Sequence, residues 1–236
     1  MELLISVIDE AEVRPAVAGG ADIVDVKNPR EGSLGANFPH VIRRIRVLTP
    51  AAVPVSVAIG DFPNLPGTAA LAAAGAAACG VQYVKVGLLG PQDHEEAFAV
   101  LSAVCRAVRD EAAGVRVMAA AYADARATGS LSPGELPAVA AAAGADGCMI
   151  DTLSKGKVTL FTELAAAELD RFVTGCREAK LLCALAGSLR ASDVPRLREL
   201  APDIVGVRGA VCDGGRRDGK LDGEAVLRLK ELVAQA

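Results

Sequence analysis

The chain has 236 residues and a formal net charge of −4, with acidic and basic residues interspersed along it. That length suits one α/β barrel of about 250 residues, and the charge pattern lacks the basic footprint of a nucleic-acid binder. No charge-free apolar run reaches the ~18 residues of a membrane span, and the start Met1-Glu2-Leu3-Leu4-Ile5-Ser6-Val7 lacks the basic and cleavage regions of a secretion leader.

Taken in chain order, β-branched runs alternate with longer Ala- and Leu-rich amphipathic stretches. The expected strands are 3–8, 23–26, 53–59, 83–86, 115–121, 147–150, 181–186 and 204–207. The expected helices are 10–18, 39–48, 66–78, 94–111, 133–142, 160–179, 191–200 and 223–236. Ser132-Pro133-Gly134-Glu135 reads as a capping box with Pro at the first helical position, and Asp93-His94-Glu95-Glu96 as a similar one. Gly19, Gly80 and Gly144 stand where helices should stop. Strict alternation implies a parallel sheet. Eight units in this length imply closure, so the expected fold is α/β, a single (β/α)8 TIM barrel forming one catalytic domain over residues 1–236. The competing open doubly wound sheet lacks its GxGxxG fingerprint here. Similar Gly-started segments at 20–25, 80–85 and 144–149 recur every two βα units, although any helix-to-strand junction can begin with Gly.

Active sites of such barrels lie at the C-terminal strand ends. Asp9, Asp61 and Tyr122 end strands 1, 3 and 5. Asp25 and Lys27 are two apart on strand 2, so they face one side while Val24 and Val26 face the helices. The same parity turns Lys85 inward on strand 4. Strands 2, 4 and 6 share layers, so Asp25, Lys27, Lys85 and Asp151 are expected to converge. Lysine usage points the same way. Only 7 lysines stand against 18 arginines, yet Lys27, Lys85 and Lys155 sit at strand ends or just beyond. Lysine can lose its proton and attack a carbonyl, whereas arginine stays charged. A cation near other cations and partly desolvated has a lowered pKa, which suits a Schiff-base nucleophile. The alternative is a set of ion pairs with Asp25 and Asp151.

Loops after strands 7 and 8 are the usual phosphate cradle. Gly187-Ser188 and Gly209-Ala210 offer small residues whose backbone N–H groups can approach an anion, and Arg208 adds charge if its parity allows. Ser188 as a nucleophile lacks a histidine to activate it. Residues 213–219 read as a glycine-rich loop and a candidate lid; Tyr122 suits an acid, a binding group or packing; His94 belongs to a helix start. The six cysteines form no CxxC pair and the two histidines, His40 and His94, are far apart. Reduced thiols in the cytoplasm are expected, and a His-rich zinc site is not.

The segments Asp22-Ile23-Val24-Asp25-Val26-Lys27-Asn28-Pro29, Gly32-Ser33-Leu34-Gly35-Ala36, Val84-Lys85-Val86-Gly87 and Asp151-Thr152-Leu153-Ser154-Lys155-Gly156 resemble the (5-formylfuran-3-yl)methyl phosphate synthase family, along essentially the whole chain. The resemblance implies a TIM-barrel lyase that joins two glyceraldehyde 3-phosphate molecules into a furan aldehyde phosphate, losing one phosphate and water, early in methanofuran biosynthesis. It implies a Schiff base on Lys27, with Asp25 supporting it and Lys85, Asp151 and Lys155 as acid/base or triose-binding partners. It implies no metal and no organic cofactor, and triose phosphates as the partners. Nucleic acid and membrane are not expected, and a homo-oligomer stays open. The residues alone reach a lysine-dependent lyase; a class I aldolase on a triose or sugar phosphate and a non-catalytic sugar-phosphate-binding barrel are the alternatives.

Overall fold

A computed structural model describes residues 1–156 and 158–234. Lys157 and the last two residues of the expected helix 223–236 lie outside the described residues. Eight parallel strands close on themselves in sequence order: β1 Glu2–Val7, β2 Ile23–Val26, β3 Val55–Phe62, β4 Tyr83–Leu88, β5 Arg116–Tyr122, β6 Gly147–Asp151, β7 Leu182–Leu185 and β8 Ile204–Val207. The closing ladder pairs Leu3 with Val205 and Ile5 with Val207. The helices are α1 Val13–Ala18, α2 Pro39–Leu48, α3 Pro66–Ala77, α4 His94–Glu111, α5 Ala125–Thr128, α6 Leu136–Ala143, α7 Leu160–Glu163, α8 Ala166–Glu178, α9 Val194–Leu200 and α10 Gly223–Ala234.

Burial follows the pleat. Outward residues such as Val24, Val57, Val84 and Ile150 pack under the helices in one apolar shell. Inward residues such as Leu4, Ile23, Tyr83, Met118, Met149 and Ile204 fill the barrel itself. These are the strand parities expected of a closed sheet with alternating faces. No helix among the described residues is long and apolar enough to cross a membrane.

Several expected elements are redrawn. The stretch 160–179 is two helices, because Leu164 takes an extended conformation (φ −117°, ψ 131°) and a Thr159–Thr162 capping box starts α7 separately. Short 3-10 turns precede α1, α6 and α9. Ser132 makes no side-chain cap; Pro133–Glu135 is a 3-10 turn instead. Asp93 does cap α4, accepting from Glu96 N at 2.9 Å. Gly80 and Gly144 take left-handed φ values after their helices, but at α1 that role falls to Gly20, not Gly19. Strand β3 runs past its expected end. A register shift between Ala58 and Asp61, with Gly60 at φ +131°, carries Asp61 to the mouth.

Candidate active site

The inward parity of β2, β4 and β6 brings the expected residues together. Asp25, Lys27, Lys85, Asp151 and Lys155 all line one cavity of about 600 Å³ at the C-terminal mouth. They form two tiers. In the lower tier Lys85, 1% exposed, lies with Nζ 2.7 Å from Oδ1 of the fully buried Asp25. Ser6 on β1, level with Asp25 in the ladder, donates its hydroxyl to Oδ2 at 3.0 Å. Asp25 therefore pairs directly with Lys85 in this geometry, and reaches Lys27 only through its charge, which raises the Lys27 pKa. Both residues are on neighbouring inward layers, but the stagger of the barrel puts the Lys85 side chain up against Asp25 while Lys27 lies one layer higher.

In the upper tier two lysines share one carboxylate. Lys27 Nζ lies 3.8 Å from Asp151 Oδ2, and Lys155 Nζ bonds Oδ1 and reaches Thr152 Oγ1 at 3.3 Å. The Thr152 amide also donates to Oδ1 at 2.8 Å. Burial lowers the Lys27 pKa to about 8, with Asp151 pulling it back up and the Lys155 and Lys85 charges pushing it further down. Burial also acts to raise the Asp151 pKa, but Lys155 and Lys27 overcome it and hold the carboxyl at about 2. Burial lowers Lys155 as well, against the opposing pull of Asp151. The arrangement can therefore supply a neutral amine beside a permanently ionised carboxylate.

The rim residues expected to hold phosphate, Gly187, Ser188, Arg208, Gly209 and Ala210, line the same cavity. Gly187 (φ +109°) and Ser188 (φ +53°) turn the chain over the mouth in left-handed conformations. A Cβ on Gly187 would come within 2.9 Å of Thr152 Cγ2, so the close approach to β6 requires glycine. Gly209 and Ala210 open a 3-10 turn ending at Val211. Arg208 is turned another way. Its Nη groups grip Glu12 at 2.8 and 3.0 Å, Nη1 also reaches Ser6 O at 2.8 Å, Nη2 reaches Gly219 O at 3.3 Å, and Nε donates to Arg217 O. All five N–H groups are thus committed to the protein, which leaves the guanidinium no donor for a phosphate.

Groups outside the expected lysine and aspartate cluster also shape the mouth. Asp61 receives the amides of Ser33 at 2.7 Å and Leu34 at 3.2 Å, together with the Tyr122 hydroxyl. Burial and the neighbouring Asp61 push the Tyr122 pKa well up, so it stays a phenol donor. Ser33 Oγ donates to Thr152 O at 2.8 Å, and Asp124 receives the amides of Leu153 and Ser154 at 2.8 and 2.9 Å. These bonds fix both strand-end loops that carry Lys27 and Lys155. Asp61 stood at a strand end in the sequence, but the bulge that aims it left no mark beyond Gly60. Among the described residues no three His, Cys, Asp or Glu side chains cluster as metal ligands.

Known proteins resemble the chain in fold and in sequence. The structures of 3-hexulose-6-phosphate synthase from Salmonella typhimurium (TM-score 0.64, 17% identity) and phosphoribosyl anthranilate isomerase from Thermus thermophilus (0.63, 16%) each cover 100% of this chain and 99% of their own. Those likenesses show the fold alone. The (5-formylfuran-3-yl)methyl phosphate synthase of Methanothermobacter thermautotrophicus is 50% identical over 234 residues, 99% of either chain. That of Methanocaldococcus jannaschii is 49% identical over 233 residues, 98% of this chain and 99% of its own. The 4-HFC-P synthase model matches residues 3–230, and the chain belongs to that family of furan-forming synthases.

Proposed function

We propose that the chain, acting as one catalytic domain, is a carbon–oxygen lyase that joins two molecules of glyceraldehyde 3-phosphate into (5-formylfuran-3-yl)methyl phosphate through an imine on Lys27. The balance is two trioses in, one furan phosphate, one inorganic phosphate and two waters out. The observation that carries the reading is the state of Lys27. With a pKa of about 8 against the usual 10.5, roughly one Lys27 in ten is a free amine at pH 7, where an ordinary lysine offers about one in three thousand.

The neutral Lys27 amine adds to the aldehyde of one triose and water leaves, giving an iminium. Loss of the proton on the adjacent carbon makes an enamine, which attacks the aldehyde of the second triose. Hydroxyls and one phosphate leave as the ring closes, and hydrolysis releases Lys27. Each elimination needs an acid and a base. Lys155 is the acid beside the imine. Asp151 stays ionised and stabilises the iminium rather than giving up a proton. Lys85, held against Asp25 beneath, completes the set of proton carriers. The backbone around 187–188 and 209–210 receives a substrate phosphate. No metal or organic cofactor enters these steps. The six free, buried thiols suit a reducing, cytoplasmic setting.

Borohydride reduction in the presence of glyceraldehyde 3-phosphate, followed by peptide mapping, tests the reading. The expected result is a reduced adduct on Lys27, with ultraviolet absorbance and free phosphate appearing in parallel turnover assays. An adduct on Lys85 or Lys155 would reassign the nucleophile. An adduct without furan or phosphate would make the protein an aldolase.

A further inference from the structure

The glycine-rich chain after β8 folds into a small hairpin. Cys212 bridges Leu221, Asp213 N donates to Lys220 O at 2.9 Å, and Gly219 N donates to Arg216 O at 3.0 Å, so 216–219 form its turn. Arg208 ties this turn to the barrel, through Arg217 O and Gly219 O on one side and Glu12 and Ser6 O on the other. The effect is to hold Arg217 over the mouth. Arg217 is half-buried, lines the same cavity as Lys27, Asp151 and Lys155, and spends one donor on Gly32 O at 3.1 Å.

The charges around the cavity do not balance at this point. Lys85 has Asp25, Arg208 has Glu12, and Arg216 has Asp218. Lys27 and Lys155 share Asp151. Among the described residues no carboxylate stands within ion-pair distance of Arg217. Asp151, Asp61 and Asp218 act on Arg217 only from farther off, so this partly desolvated cation has no counter-ion in contact, which is costly unless a ligand brings the anion. A planar guanidinium with donors to spare matches a phosphate monoester in bidentate fashion. Two phosphorylated trioses also cannot place their dianions in one cradle, because the repulsion at contact distance is severe.

We propose that Arg217 anchors the phosphate of the second triose, in a subsite on the 212–221 hairpin separate from the backbone cradle at 187–188 and 209–210. Arg208 and Glu12 are positioning residues that hold this hairpin in place. The proposal rests on the reading of the substrate as a triose phosphate.

Glycerol 3-phosphate separates the two ideas, since it carries the phosphate but no carbonyl and forms no imine. Calorimetric titration of the full chain is expected to find two equivalents bound, and Arg217→Gln is expected to bind one. Arg216→Gln, at an exposed neighbour paired with Asp218, is expected to bind two. In turnover, Arg217→Gln is expected to raise KM about 30-fold or more while its melting temperature and borohydride trapping on Lys27 persist, with partial recovery in Arg217→Lys. One equivalent in the unmodified protein, two in Arg217→Gln, or the same loss in Arg216→Gln each overturns the subsite. Absence of any Lys27 adduct would defeat the imine reading and leave the titration result standing.

Discussion

The two tiers of the cavity contain the same chemical groups in different proportions. Below, one lysine faces one carboxylate, both sealed from water, with Ser6 adding a hydrogen bond. Above, two lysines face one carboxylate, and the loops over them open to the cavity. A matched pair is electrically complete. A shared carboxylate compensates only one of two ammonium groups, so burial lowers the Lys27 pKa to about 8. The contrast teaches that Lys27 owes its lowered pKa first to burial, and that a carboxylate shared with Lys155 restores only part of what burial takes away.

The sharpest way to break this contrast is Lys27→Arg. It keeps the charge and removes the nucleophile, so kcat should fall by at least about 10^3-fold and borohydride trapping should vanish. Near-normal turnover in that variant would falsify Lys27 as the imine lysine.

Next in size is Asp151→Asn, expected to lower kcat by about 10^2-fold, more than it changes KM. It has a second signature. The Asp151 charge raises the Lys27 pKa, so removing it should move the alkaline rise of kcat/KM from near pH 8 to lower pH. A pH profile that keeps its midpoint would mean that Lys27 is not the group being titrated.

The lower tier predicts a stability effect. Asp25→Asn leaves the Lys85 ammonium buried without a counter-ion, and removing one partner of such a pair costs about 3–5 kcal/mol. Thermal melts at pH 7 should fall by roughly 10 °C for a chain of this size. A drop of only a degree or two would show that the pair is not desolvated in solution.

The smallest effect has the opposite sign. The folded pKa of Lys27 lies below its ordinary value, so its buried ammonium opposes folding at pH 7, and stability gained from losing the proton appears only between about pH 8 and 10.5. Lys27→Met should therefore be more stable at pH 7, by about 1–2 kcal/mol, and should lose that rise with pH. Denaturant titrations across pH 7 to 10.5 decide it; a destabilised variant with the same pH dependence contradicts the assignment.

The barrel and its inward residues were legible without coordinates. Alternation of β and α patterns dictates a parallel sheet, and a period of two along a strand decides which side chains face inside. That is why Asp25, Lys27, Lys85 and Asp151 could be grouped from spacing alone. Which charge meets which was decided only by the closed sheet. The stagger of neighbouring strands gave Asp25 to Lys85 and left Asp151 to two lysines, and no local pattern encodes that stagger. The same holds for the rim. Arg208 and Arg217 look alike as residues, but one is consumed by Glu12 and three backbone carbonyls while the other is held over the mouth. Propensity and periodicity act over a few residues, whereas these partners are brought together from opposite ends of the chain, and only the tertiary fold brings them within reach.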